Sequence, residues 1–158
     1  ILFYLIKNPR QITLNIFTTF KFISKLPCYS SFMNNPEVIS FNATFVICST
    51  LESIPEKLFA NNPKVTDFSE TFEGCWALKS IPSSLFDNNR KVTDFAYTFA
   101  SCKALTGESP YTMIDGQKVH LYERVNYPDH FTEPTLFIMA FRYCTGLTDF
   151  AQIPSDWK

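Results

Sequence analysis

Glycine and histidine are scarce in this sequence: 4 and 2 among 158 residues. So few glycines exclude a glycine-rich low-complexity chain, and so few histidines leave little for a structural zinc site. A charge of one sign is missing too. The formal net charge is −1, with no basic stripe for nucleic acid and no block of like charge for an anionic surface. The five cysteines contain no CxxC pair, and an odd count cannot pair completely within one chain. The opening apolar run, "ILFYLI", is far short of the ~20 residues of a spanning helix. It also lacks a basic leader and a small-residue cleavage site. No membrane insertion is expected within these residues. The first residue is not Met, which suggests a piece of something longer.

What the chain does have is phenylalanine, 17 of them, and a period. Cys48, Cys75 and Cys102 are spaced by 27. The same interval joins Phe32, Phe59 and Phe86, then Phe41, Phe68 and Phe95, then Phe45, Phe72 and Phe99. Asn34-Asn35, Asn61-Asn62 and Asn88-Asn89 keep the register, as do Val38, Val65 and Val92. Weaker copies appear upstream at Phe17, Phe20, Ile23 and Leu26, and downstream at Phe141, Cys144, Leu147 and Phe150. The chain therefore starts partway through a repeat.

Within a unit, Asp67 with Glu70 reads as a capping box opening one or two helical turns over "FSETFEGC". "WALKSI" and "KVT" read as short strands, and Pro82 opens a second helical turn that the Asp87-Asn88-Asn89 turn ends. One coil per 27 residues falls in the range of leucine-rich repeats. The expected fold is an α/β solenoid, a leucine-rich-repeat-like right-handed coil of short parallel strands and short helical turns, with a β-hairpin inserted near the C-terminus.

The succession VTDF-x-x-TF-x-x-C-x-x-L-x-SIP-x-x-LF-x-NN resembles the BspA-type leucine-rich repeats of bacterial cell-surface proteins, in particular those of gut Bacteroides-like organisms. The likeness spans roughly residues 5–105 and 134–158. It implies an exported, surface-attached protein, and in some relatives adhesion to host matrix proteins.

Residues at one position of stacked coils lie about 4.8 Å apart. The phenylalanine columns then form a buried ladder, and Cys48, Cys75, Cys102 and Cys144 act as small buried hydrophobes. A disulfide wants Cβ atoms about 3.8 Å apart, so free thiols are expected. The asparagines cap turns by bonding their own coil's backbone. The drifting columns face outward: Ala43, Glu70 and Tyr97; Ser49, Trp76 and Lys103; Glu37, Lys64 and Lys91. Trp76, Tyr97, Lys103 and Glu70 are the candidate binding face, since aromatic residues are typical interface anchors. Asn42-Ala43-Thr44 matches a glycosylation sequon.

After Leu105 the template breaks, and Cys144 follows Cys102 by 42 residues instead of 27. Asp115-Gly116 is a two-residue hairpin signal. The expected organisation is a repeat region 1–105, an inserted hairpin and capping segment 106–133, and a final repeat with its cap, 134–158. The insert holds His120 and His130 with Asp129 and Glu133, which raises metal or acid–base chemistry, but no HExxH-like frame supports it. No nucleophile–base pair or metal set can be assembled from motifs. The expectation is a non-catalytic, surface-exposed module without cofactor that binds a protein, such as a host matrix protein. The alternative is a structural spacer or stalk segment.

Overall fold

The computed structural model describes residues 3–8, 11–15 and 34–158, the first two stretches by backbone alone. Phe32, Phe17, Phe20, Ile23 and Leu26 lie outside the described residues.

The α/β solenoid is overturned. Among the described residues, the strands form two separate antiparallel pairs, each an open two-stranded sheet. Strands β1 (Phe3–Asn8) and β2 (Gln11–Asn15) pair where the first coil was expected. Strands β3 (Tyr111–Ile114) and β4 (Gln117–His120) pair across Asp115-Gly116, both with positive φ, 49° and 81°. Among the described residues, helix is limited to two 3-10 segments, Leu121–Asn126 and Ser155–Trp157. Neither "WALKSI" nor "KVT" forms a strand. Parallel contact between repeats is reduced to single bridges: Ser40 to Asp67, Asp67 to Asp94, Asp94 to Leu136, and Gly107 to Leu147.

The reason lies in the turns. Each repeat carries two successive tight turns that start at phenylalanines. The amide of Thr71 donates to the Phe68 carbonyl and that of Cys75 to the Phe72 carbonyl, both at 3.2 Å. The third residue of each turn is left-handed: Ala43, Glu70, Tyr97 and Met139 in the first, and Ile47, Gly74, Ser101 and Tyr143 in the second, with φ between 51° and 70°. Positive φ at that place marks a type II turn, and a helix cannot run through it. Asp67 therefore caps no helix. Its Oδ1 accepts the Ser69 amide at 2.8 Å, two residues on, and Asp94 does the same for Ala96 at 2.9 Å.

The turns knit rung to rung in both directions. Alternate amides point forward: Phe41 to the Asp67 carbonyl, Ala43 to Ser69, Phe45 to Thr71 and Ile47 to Glu73, at 2.6–2.9 Å. Side chains point back. The Thr71 and Thr98 hydroxyls reach the carbonyls of Phe41 and Phe68 in the preceding rung, at 3.0 and 3.1 Å. The thiols of Cys75, Cys102 and Cys144 reach those of Phe45, Phe72 and Phe99, at 3.2, 3.1 and 3.0 Å. The Asn62 and Asn89 amides bond the main chain one rung earlier, at Asn35 (2.8 Å) and Asn62 (2.9 Å), rather than their own coil. Each of these side chains adds a second donor to a carbonyl that already accepts an amide of its own turn, as Phe41 does from Thr44 and Phe45 from Cys48.

The core is a phenylalanine stack. Phe45, Phe72, Phe99 and Phe141 follow one another at 5.3, 5.4 and 5.7 Å between ring centroids, nearly parallel. Phe41, Phe68 and Phe95 form a second column, and Phe59 with Phe86 a third. Rings of the third column wedge against the second, Phe59 on Phe68 at 4.6 Å and Phe86 on Phe68 at 4.8 Å. All are essentially inaccessible to solvent, and each such ring stabilises the fold by roughly 1.5–3 kcal/mol. Trp157 closes the last rung, stacked on Phe137 at 4.8 Å, while the Met139 and Phe141 amides bond the carbonyls of Asp156 and Trp157.

Candidate functional site

Three places on this frame carry chemistry. The first is the outer side of the turns. Trp76 and Ile47 are each 53% exposed and Tyr143 is 50% exposed. Trp76 and Lys103 share one column, and Ile47 and Tyr143 share the column two residues before it. The Lys103 ammonium lies 6.0 Å from the Tyr143 ring and the Arg142 guanidinium 4.6 Å, so the two columns meet at that ring. Glu70 and Tyr97 are only half-buried edge residues, both in left-handed turn positions. Trp76 and Tyr97 occupy different columns of successive rungs. Sequence reasoning missed Tyr143, Arg142 and Ile47. Their signal was the column of Gly74 and Ser101 carried past the 15-residue insertion. The Asn42 amide is engaged with Ser69 at 2.8 Å and Thr44 is fully buried, so the sequon is part of the rung.

The second is the interior. Cys48, Cys75, Cys102 and Cys144 are buried, and Cys75, Cys102 and Cys144 are free thiols. Burial pushes the Cys48 and Cys144 thiols up from 9.0 to about 12 and Cys102 well above its ordinary value. The Cys75, Cys102 and Cys144 thiols act as weak donors to carbonyls.

The third is the insert, which brings together residues the sequence keeps apart. Its 3-10 helix presents Arg124, 1% exposed, to the main chain of the stack. Arg124 donates to the carbonyls of Asn89 (3.1 Å) and Phe86 (3.0 Å). Its guanidinium lies 4.3 Å from the Phe131 ring. Burial pulls its pKa down to about 9, with Asp87 opposing, so it stays charged at neutral pH.

Next to it, His120 gathers three carboxylates. Nδ1 is 3.0 Å from Glu123, and Nε2 is 3.2 Å from Glu108 and 3.6 Å from Asp149. Asp149 also accepts the Ser109 hydroxyl in a short bond, the Ser109 amide at 3.0 Å and the Tyr122 hydroxyl at 3.3 Å. Burial first, then Asp149, pushes the Tyr122 hydroxyl up, so it remains a phenol. The grouping first read from sequence does not form this cluster: Asp129 and Glu133 are exposed and His130 lies beside Phe131, 6.4 Å between ring centroids. Ser109 donates to the Asp149 carboxylate and not to the imidazole, so no Ser–His pair is formed. Among the described residues no His, Cys, Asp and Glu group is set to hold a metal.

A cleft of about 120 Å³ runs along the insert, lined by Tyr122, Val125, Glu133, Pro134, Phe137 and Trp157. That is below the ~300–1,000 Å³ of small-molecule pockets. Among the described residues no helix is long and apolar enough to cross a membrane. No family model, curated protein or solved structure matches this chain.

Proposed function

We propose that this chain is a non-catalytic module that binds a protein partner through the outer side of its turns, within an exported bacterial surface protein. The observation that carries the reading is the pair of neighbouring columns holding Ile47, Trp76 and Tyr143 half exposed, with Lys103 and Arg142 over the Tyr143 ring. Aromatic side chains and arginine supply most of the energy in protein interfaces. The surface location and the host matrix partner rest on the resemblance of the repeat to BspA-type surface proteins.

The test is binding of the folded protein to immobilised fibronectin and fibrinogen at physiological salt. Saturable binding that a Trp76→Ala, Tyr143→Ala double change weakens by about 30-fold, the loss of a typical anchor, supports the reading. Undiminished binding by the double variant removes the face from consideration.

A spacer is the second reading. It is favoured by the forward and backward hydrogen bonds between rungs, which resist extension along the stack. No binding to either protein by a folded sample moves the assignment there.

A further inference from the structure

His120 ends β4 at the seam between the insert and the last rung. Each of its ring nitrogens faces a carboxylate oxygen: Nδ1 faces Glu123, and Nε2 faces Glu108 with Asp149 behind it. An ionised carboxylate only accepts, and a neutral imidazole owns one N–H and one lone pair. In that neutral state one side of the ring would meet a carboxylate lone pair to lone pair. Only the imidazolium donates on both sides.

Water cannot easily substitute. The side chain is 11% exposed, stacked on Tyr122 at 5.2 Å and set edge-on to Tyr111 at 5.6 Å. The other groups around the cluster are already committed. Lys118 pairs with Glu108 at 2.5 Å, while the Ser109 and Tyr122 hydroxyls go to Asp149. Lys118 first, then His120, holds the Glu108 carboxyl below its ordinary value, so it is ionised near neutrality.

We propose that His120 is a proton-operated clamp: as an imidazolium it donates to Glu108 and Glu123 of the insert and sets its positive charge 3.6 Å from Asp149 of the last rung, and losing one proton loosens that seam while the stack stays intact. The carboxylates on both sides set the direction, so release comes as pH rises. Arg124 keeps its own hold on Asn89 and Phe86, so the insert pivots and does not detach.

The test is nitrogen NMR of the histidine rings in the full chain, together with amide exchange corrected for intrinsic base catalysis. With the seam closed, both ring nitrogens of His120 carry hydrogen. As pH rises and one is lost, the Ser109 and Tyr111 amides exchange measurably faster. The Phe72 and Phe99 amides, which bond the next rung, do not change. His120→Gln abolishes the pH step. Glu123→Gln removes one carboxylate, leaves the ring in place and moves the step to lower pH. A His120 with a single N–H while the seam amides stay protected overturns the clamp. So does a step that persists in His120→Gln or stays put in Glu123→Gln.

Discussion

Arg124 stands against Asn89 as Asn89 stands against Asn62. The Asn89 side-chain amide bonds the carbonyls of Asn62 (2.9 Å) and Phe59 (3.3 Å). The Arg124 guanidinium bonds those of Asn89 (3.1 Å) and Phe86 (3.0 Å), one rung later. An arginine from outside the repeat thus completes the asparagine column where the next asparagine is missing.

Removing it strands the Asn89 carbonyl and leaves the Phe86 carbonyl with the Asn89 amide alone. An unpaired buried acceptor costs about 1–3 kcal/mol, so Arg124→Ala is expected to lower unfolding stability by about 1–3 kcal/mol in urea titration. Arg124→Lys, a point charge without the two-pronged geometry, should fall between. A loss under about 0.5 kcal/mol for the alanine variant would show that the column needs no completion.

The left-handed column makes a paired prediction at Gly74 and Ile47. A Cβ on Gly74 would sit 3.3 Å from Ile47 Cγ1 at φ +70°. Ile47 holds a β-branched side chain at φ 56°, in a region that costs roughly 1–2 kcal/mol for most residues. Gly74→Ala is expected to destabilise by about 1–2 kcal/mol. Ile47→Asn is expected to stabilise by up to about 1 kcal/mol, because asparagine tolerates that region. Thermal unfolding of the two variants checks the signs; like signs would contradict the turn assignment.

The thiols predict alkaline behaviour. Cys48 and Cys144 titrate at 9.0 when unfolded and about 12 when buried. The folded chain holds these protons more tightly, so their contribution is complete below about pH 9 and is lost as pH rises toward about 12. Thiolate ultraviolet absorbance should lag well behind that of the urea-unfolded chain, and thiol reagents should label the native protein slowly. Fast labelling of most thiols at neutral pH would refute the buried column.

The period, the phenylalanine and cysteine columns and the Asp115-Gly116 turn were legible because identical residues recur where identical neighbours surround them. The conformation of the rung was not. Asp67 with Glu70 has the composition of a helix start, yet Glu70 takes φ 57°. Of the eight left-handed turn positions only Gly74 is glycine, so the one residue that signals such a backbone is nearly absent from its column. The forward hydrogen bonds of the stack override the local preference. The His120 cluster was hidden for another reason: Glu108 lies 12 residues before it and Asp149 belongs to the last rung.

Forward amides and backward side chains repeat from joint to joint between the 27-residue units, and this sets how the gene can change length. Duplicating or deleting one whole 27-residue unit re-creates the same joint, with each phenylalanine, threonine, cysteine and asparagine opposite its counterpart. Adding or removing one residue inside a rung shifts all of these columns at once. A longer insertion is tolerated where it loops out of a rung and returns in register: Thr106 and Tyr111 still bond Lys79 and Ser83 of the preceding rung, and the chain rejoins that rung with Thr132 bonded to Arg90 and Thr135 to Thr93. Unequal exchange between copies is then the natural source of variants, and relatives should differ in unit number far more often than in unit length.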